Sequence, residues 1–218
     1  MTHFVSAAPD EPPVRSEPSI PNFAPAIAGA TGGLSVALVG LPGAGKSAVG
    51  RRLAERLELP FVDSDHVIEQ RLGGSIREFF EREGEEAFRD LEQQVIGELA
   101  GATLGILATG GGAVLRQANR DALRAGCCHV IYLRSSPDDL YRRLRHDRKR
   151  PLLQVADPLA RLRELHEARD PLYRATAHET VDTGRPSIST LIETILARLG
   201  WPHDAGSVAN GPRSEPRS

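Results

Sequence analysis

An eight-residue stretch in the first quarter of the chain has the residue types and spacing of a phosphate-binding loop. Residues 40–47 read Gly-Leu-Pro-Gly-Ala-Gly-Lys-Ser and satisfy the pattern G-x-x-x-x-G-K-[ST] in full. In such a loop the backbone amides donate to phosphate oxygens at the positive end of the following helix. The pattern therefore predicts that Lys46 reaches the terminal phosphates of a nucleoside triphosphate and that the Ser47 hydroxyl is a ligand of Mg²⁺.

The flanks of this loop argue against a chance glycine-rich turn. A short apolar run rich in β-branched residues precedes it at 34–39, and a segment with helical spacing of Ala, Val and Leu follows it at 48–57. Strand, loop and helix in that order is the context in which the pattern binds phosphate.

Two carboxylates, Asp63 and Asp65, end the second apolar run. A two-residue offset at a strand end can aim both side chains toward one cleft, where one would hold metal and the other a substrate hydroxyl. Helix capping is an equally good interpretation, because Ser64 or Asp65 can satisfy the first amides of a helix over 66–72.

Two further patterns each have a chemical and a structural interpretation. Arg89 and Glu92 share one face of a long helix that starts near Gly84, and they form either an anion-binding fork with its orienting carboxylate or a solvated ion pair. Three glycines at 110–112 follow an apolar run. They either let bare backbone N–H groups approach a ligand or form a flexible turn.

Arginines in the last third of the chain are the remaining candidates. The run at 142–150 is rich in Arg and ends before a proline. It is either a solvated helix end or a mobile segment that closes over a nucleotide. Arg174 follows a Pro-Leu-Tyr sequence and is either a second anion clamp or an exposed side chain.

The elements that must position these residues alternate along the chain. Strand-like runs occur at 34–39, 60–63, 104–109, 128–133 and, weakly, 180–183, with helical patterns between them. Crossovers of that length predict an α/β fold, a three-layer α/β/α arrangement around a five-stranded parallel sheet. Ligands collect beyond the carboxyl ends of such strands.

Composition limits the other possibilities. Hydrophobic residues make up 40% and charged residues 26% of the 218, and the net charge of −2 gives no reason to expect nucleic acid or an anionic membrane as partner. The two cysteines are adjacent, which favours packing over a disulfide. With no signal peptide and no apolar stretch of roughly 20 residues, we expect a cytoplasmic protein. The Pro-rich arm at 1–33 and the tail at 203–218 are expected to be disordered.

Taken together and in this order, the patterns resemble those of the shikimate kinase family, which is related in fold to nucleoside monophosphate kinases. The resemblance spans about 34–198 and rests on six motifs: G-L-P-G-A-G-K-S at 40–47, D-S-D at 63–65, G-E-x-x-F-R-x-x-E at 84–92, G-G-G at 110–112, R-P-L-L at 150–153 and P-L-Y-R at 171–174. Many families share the phosphate loop, whereas the whole ordered set is specific. The family often has Thr where Ser64 stands, and its lid sequence varies.

The resemblance implies transfer of the γ-phosphoryl group of MgATP to the 3-hydroxyl of shikimate, in the pathway to chorismate and the aromatic amino acids. ATP, ADP and shikimate are then the expected partners of a monomer whose domain covers 34–202. Within it, the substrate-binding region would lie at about 63–92 and the lid at about 145–157.

The resemblance also implies a role for each matched residue. The ATP-binding set would be Gly43, Ala44, Gly45, Lys46, Ser47, Ala48, Arg143 against adenine, and Arg150 from the lid. The substrate-binding set would be Asp65, Arg89, Glu92, Gly110, Gly111, Gly112 and Arg174, with Arg89 and Arg174 on the substrate carboxylate. Ser47 would hold Mg²⁺ directly and Asp63 through water. Lys46, Asp65 and Arg150 would be catalytic, with Asp65 accepting the proton of the attacking hydroxyl.

Three other functions compete with this interpretation. Another small-molecule kinase, for gluconate or a nucleoside monophosphate, would need different polar partners from paired arginines and an aspartate. A GTPase-type switch would carry N-K-x-D, which the chain lacks. An inactive paralogue would not be expected to retain Lys46, Asp65 and Arg150.

Overall fold

The structure is a computed structural model of the chain. It describes residues 35–102, 104–127, 129–145, 155–184 and 186–201. The arm at 1–33, the tail at 203–218 and the greater part of the expected lid, including Arg150, lie outside the described residues.

Five parallel strands form a single sheet in the order β2-β3-β1-β4-β5. The strands are β1 (Ser35–Val39), β2 (Phe61–Asp63), β3 (Gly105–Ala108), β4 (His129–Arg134) and β5 (Glu179–Asp182). The central strands β1 and β3 are buried at every position, as expected for a parallel sheet covered on both faces. The predicted five-stranded parallel sheet is confirmed, with the weak fifth strand one residue earlier than expected.

Seven helices cover this sheet in the described part of the chain. They are α1 (Lys46–Leu57), α2 (Ser64–Leu72), α3 (Ile76–Ala102), α4 (Gln117–Gly126), α5 (Pro137–Leu144), α6 (Pro158–Thr176) and α7 (Ile188–Arg198). Helix α1 packs against α7, whereas α4 packs against both α3 and α6. Right-handed crossovers that run in opposite directions along the sheet place their helices on opposite faces, which gives the predicted three layers. None of the described helices is long and apolar enough to cross a membrane.

Helix α3 is broken at Gly84. The φ of 84° and ψ of 177° at this residue are outside the helical region, and the positive φ favours glycine. The segment before the break and the segment after it therefore run in different directions. This bend lets one chain segment contribute two walls of a cavity.

The carboxyl ends of β2, β3 and β1 lie side by side and carry the predicted site. Asp63 pairs in register with Ala108, and Ala108 pairs with Leu38, so the three strands end at nearly the same level. The phosphate loop follows β1, the carboxylates follow β2, and the glycine run follows β3. Parallel pairing thus brings together side chains that are far apart in the sequence.

Candidate active site

The loop at 40–47 has the geometry of a phosphate cradle. Gly43 and Gly45 have φ values of 85° and 93°, in the region that favours glycine. The N-cap of α1 is Gly45, which has no side chain that could accept hydrogen bonds from the first amides of the helix. Lys46 is almost buried, and its Nζ donates to the carbonyls of Gly40 (2.7 Å) and Leu41 (3.0 Å). Backbone amides and a lysine at a helix N-terminus together suit a phosphate chain.

Ser47 and Asp63 lie next to each other at the foot of this loop. The Ser47 Oγ donates to Asp63 Oδ2 at 2.6 Å. A hydroxyl and a carboxylate are the hard oxygen donors that Mg²⁺ prefers, and two protein oxygens leave room for phosphate and water ligands. The residues therefore fit the metal that the sequence predicts. No group of three or more His, Cys, Asp or Glu in the described ranges forms an all-protein metal site.

Asp63 caps α2, so the helix cap predicted here is present but is a different residue from the two that the sequence suggested. Its Oδ1 accepts from the Asp65 amide at 3.1 Å, which makes Asp63 the N-cap, rather than Ser64 or Asp65. The Asp65 side chain is thereby left to face the cleft, and it lines both of the cavities at this edge of the sheet.

The pKa of Asp65 is raised. Asp65 is exposed to the cleft but surrounded by many protein atoms, which partly desolvate its carboxylate. This desolvation is the main cause, and the negative charge of Asp63 the second, that raises the pKa from 3.8 to about 6. Lys46 acts in the opposite direction. A carboxylate with a pKa near 6 is still ionised at neutral pH and accepts a proton more readily than an ordinary aspartate.

A second cavity of about 520 Å³ opens beside the phosphate-loop cleft, which itself has a volume of about 400 Å³. Arg89, Glu92 and Arg169 line the second cavity. Arg89 Nη1 donates to Glu92 Oε2 at 2.6 Å, and its Nη2 donates to Glu85 Oε1 at 3.0 Å. The Glu92 side chain is only 1% exposed, which excludes the solvated ion pair that the spacing alone permits. Burial raises the pKa of Glu92, against the lowering effect of Arg89.

The glycine run lines the second cavity, its middle residue also lines the first, and other site residues approach it closely. A Cβ on Gly110 would lie 2.5 Å from Asp65 Oδ1 and 3.0 Å from Glu92 Oε1, and a Cβ on Gly112 would collide with the Arg89 guanidinium. The Gly110 amide donates to Ser64 Oγ at 3.0 Å, so this one is not the bare donor that the sequence suggested. The run is glycine because site residues occupy the space where side chains would be.

Arg174 does not reach this cavity, contrary to the sequence prediction. Its Nε donates to Asp170 Oδ2 at 2.6 Å, and its side chain is 47% exposed. Arg169, five residues earlier on α6 and outside the P-L-Y-R motif, lines the cavity instead. Five helical residues correspond to a rotation of about 140° between the two side chains, so both cannot face the same pocket.

The sequence contains a signal for Arg169 that motif matching misses. The buried positions of α6 include Leu162, Leu165 and Tyr173, which recur at helical spacing on its inner face. Arg169 lies four residues after Leu165 and four before Tyr173, so it belongs to that inner face. Arg174 is one residue beyond Tyr173 and points elsewhere.

An apolar wall of the second cavity is also absent from the sequence prediction. Ile76, Phe80 and Phe88 line it, and the rings of Phe80 and Phe88 lie 4.5 Å apart. Phe80 precedes the break at Gly84 and Phe88 follows it, so only the bend in α3 brings the two rings together. No local pattern predicts that contact.

Arg143 lies apart from both cavities. It donates to Ser135 Oγ at 3.3 Å and to the carbonyl of Thr183. Ser135 and Thr183 directly follow β4 and β5, on the opposite side of the phosphate loop from the second cavity. Its contact with adenine stays a prediction, as does the role of Arg150, which lies outside the described residues.

The three-layer fold and the phosphate loop, with a cavity beside it that Arg89 and Arg169 line, define a P-loop phosphotransferase. The sequence profile of the family described as "Shikimate kinase" matches residues 42–200. The chain belongs to the shikimate kinase family.

Individual relatives agree with this assignment. The shikimate kinase of Paracidovorax citrulli is 57% identical over 169 residues, which cover 76% of this chain and 92% of the relative. A solved structure of shikimate kinase from Acinetobacter baumannii, in complex with shikimate, superposes with a TM-score of 0.72 at 44% identity, over 76% of this chain and 93% of that one. A gluconokinase from Sinorhizobium meliloti, over 77% of this chain and 92% of its own, has a TM-score of 0.51 at 22% identity, which shows likeness of fold alone.

Proposed function

We propose that the protein transfers the γ-phosphoryl group of MgATP to the 3-hydroxyl of shikimate, which gives ADP and shikimate 3-phosphate. The bond between the γ-phosphorus and the bridging oxygen breaks, a bond from phosphorus to the shikimate oxygen forms, and the hydroxyl proton leaves. Such transfers depend on positioning and charge neutralisation rather than on a covalent intermediate with the protein.

The observation that carries the proposal is that the two cavities adjoin each other. Pro42, Asp65 and Gly111 line both of them. A hydroxyl placed at Asp65 is therefore at the boundary between the phosphate-loop cleft and the second cavity. This is the location that an acceptor needs if it is to meet the terminal phosphate of a nucleotide in the loop.

The second cavity has the chemistry of a ring acid. Arg89 and Arg169 supply planar forks for a carboxylate, and Glu92 fixes the orientation of Arg89 through its buried hydrogen bond. The rings of Phe80 and Phe88 supply an apolar wall for the face of a carbocycle. Asp65 accepts from a substrate hydroxyl and takes its proton during transfer.

When bound, Mg²⁺ would neutralise charge on the transferring group. Ser47 would be its direct ligand, and Asp63, which accepts a hydrogen bond from Ser47, would hold it through water. In the same loop Lys46 adds a fixed cation beside the terminal phosphates.

The proposal is tested by measuring ADP release from MgATP in parallel reactions with shikimate, gluconate or AMP as acceptor. We expect release with shikimate only, because the arginines bind a carboxylate directly beside an apolar wall that fits the face of a carbocycle. Gluconate has the carboxylate but no ring, and AMP has no carboxylate. Release with gluconate or AMP and none with shikimate would overturn the assignment of substrate.

Replacement of Arg169 by glutamine should raise the KM for shikimate about 10- to 100-fold, because a hydrogen bond to a charged group contributes about 1.5–3 kcal/mol. The KM for MgATP should change less than about threefold, since Arg169 lines only the second cavity. Arg174→Gln is the matched control, and steady-state kinetics should show it within about twofold of the unmodified protein. A larger loss in Arg174→Gln than in Arg169→Gln would restore the pairing that the sequence predicted.

The rate should depend on pH through Asp65. Because the pKa of Asp65 is about 6, the side chain becomes protonated as the pH falls through that value. A protonated Asp65 cannot act as a base, so kcat/KM for shikimate should fall roughly tenfold per pH unit below pH 6. The measurement is kcat/KM between pH 5 and 8 at saturating MgATP, with coupling enzymes in excess at each pH. A flat profile across this range would show that ionised Asp65 is not required.

A further inference from the structure

The carbonyl of Gly111 is a shared acceptor that connects α6 to the cavity wall. Tyr173 donates its hydroxyl proton to Gly111 O at 2.6 Å, and Arg169 Nη1 donates to the same oxygen at 3.1 Å. Both donors lie on the inner face of α6, four residues apart. The position of the Arg169 guanidinium is therefore defined relative to the peptide that Tyr173 holds.

The same peptide is held from the side of the phosphate loop. A Cβ on Gly111 would lie 2.5 Å from Pro42 Cδ, so the glycine packs directly on a residue of that loop. Gly111 also lines both cavities. A shift of this peptide would thus change the distance between the acid-binding arginine and the phosphate loop.

Tyr173 is well suited to fix the peptide. The residue is fully buried, and its ring stacks on that of Tyr132 with centroids 4.9 Å apart. Burial raises the pKa of Tyr173, so its hydroxyl remains a proton donor at neutral pH. A buried aromatic ring with one hydrogen bond at its tip has little freedom to move.

We infer that Tyr173 is a positioning residue for substrate recognition: it holds the Gly111 carbonyl, and through it Arg169, at the distance from the phosphate loop that the acid substrate requires. This inference rests on the proposed function for its kinetic readout. Tyr173 touches no reacting atom and acts only through its neighbours.

Tyr173→Phe keeps the stacked ring and removes only the donor. We expect the KM for shikimate to rise about five- to tenfold, because one hydrogen bond is lost and Arg169 is displaced. The KM for MgATP should stay within about twofold. Tyr132→Phe is the matched control, because it removes from the same ring stack a hydroxyl that donates to Asp170 Oδ1 instead. It should leave the KM for shikimate within about twofold while lowering the melting temperature about as much as Tyr173→Phe does.

Two results would overturn the inference. In an Arg169→Gln background, Tyr173→Phe should add less than about a further twofold to the KM for shikimate; effects that multiply in full would show that it does not act through Arg169. Equal KM changes in Tyr173→Phe and Tyr132→Phe would show a general structural effect.

A spectroscopic readout separates this inference from the proposed reaction. The Gly112 amide belongs to the same peptide group as the Gly111 carbonyl, so its ¹H–¹⁵N resonance should shift in Tyr173→Phe and not in Tyr132→Phe. An unmodified protein inactive on shikimate would refute the proposed function, whereas an unchanged Gly112 resonance would refute the role of Tyr173 alone.

Discussion

Asp65→Asn should lower kcat by about 10²- to 10⁴-fold, the contribution of a positioned general base. The amide has nearly the same size and can still accept a hydrogen bond from a substrate hydroxyl, but it cannot take the proton. Steady-state kinetics should therefore show a large loss in kcat with KM for MgATP within about threefold. The matched control is Asp121→Asn, the same chemical change on an exposed position of α4 outside both cavities.

The folded stability of Asp65→Asn provides a second check on the same residue. Since the pKa of Asp65 in the folded protein is raised to about 6, its stabilising contribution is present below the unfolded value of 3.8 and is lost as the pH rises through about 6. At pH 7 the variant, which carries no charge at this position, should be at least as stable as the unmodified protein in a urea titration. An inactive variant that is also clearly less stable at pH 7 would indicate damage to the fold rather than loss of a base.

Lys46→Ala should lower kcat by about 10²- to 10³-fold, the typical effect of removing one preorganised electrostatic donor. The near-complete burial of Lys46 and its hydrogen bonds to Gly40 and Leu41 hold the ammonium within the phosphate loop. An alanine leaves the terminal phosphates without that cation, and the KM for MgATP should also rise. Binding of the nucleotide and turnover are measured separately, by calorimetry and by ADP release.

Arg52→Ala is the matched control for Lys46→Ala. It removes one cation from the same helix at a position 68% exposed and paired with Glu55, so its activity should stay within about twofold of the unmodified protein. Retention of more than a third of the activity in Lys46→Ala would contradict the role of the loop.

Much of the phosphate-loop side of the site is predictable from the sequence because its chemistry is local. Gly43, Gly45, Lys46 and Ser47 occur within one strand–loop–helix unit, where the pattern determines the backbone path. The five parallel strands follow from apolar runs separated by helical patterns. The order of the strands in the sheet is harder to predict. Local periodicity does not place β3 between β2 and β1, because that position depends on the geometry of the crossovers.

The residues that line the second cavity are less predictable from the sequence because the cavity depends on contacts between distant elements. The P-L-Y-R motif pointed to Arg174, whereas the spacing of the buried residues Leu165 and Tyr173 on α6 places Arg169 on the inner face. The contact between Phe80 and Phe88 depends on the bend at Gly84. In both cases the deciding fact is the direction of a helix face, which motif matching alone leaves open.

The most direct test of the account is the structure of the product formed from MgATP and shikimate. We expect ³¹P–¹H correlation NMR to show a new phosphate ester on the carbon that carries the 3-hydroxyl, formed in equal amount with ADP. A phosphate on another hydroxyl, or ADP formed without any phosphorylated shikimate, would contradict the claim that two adjoining cavities hold the acceptor hydroxyl at Asp65 beside the nucleotide.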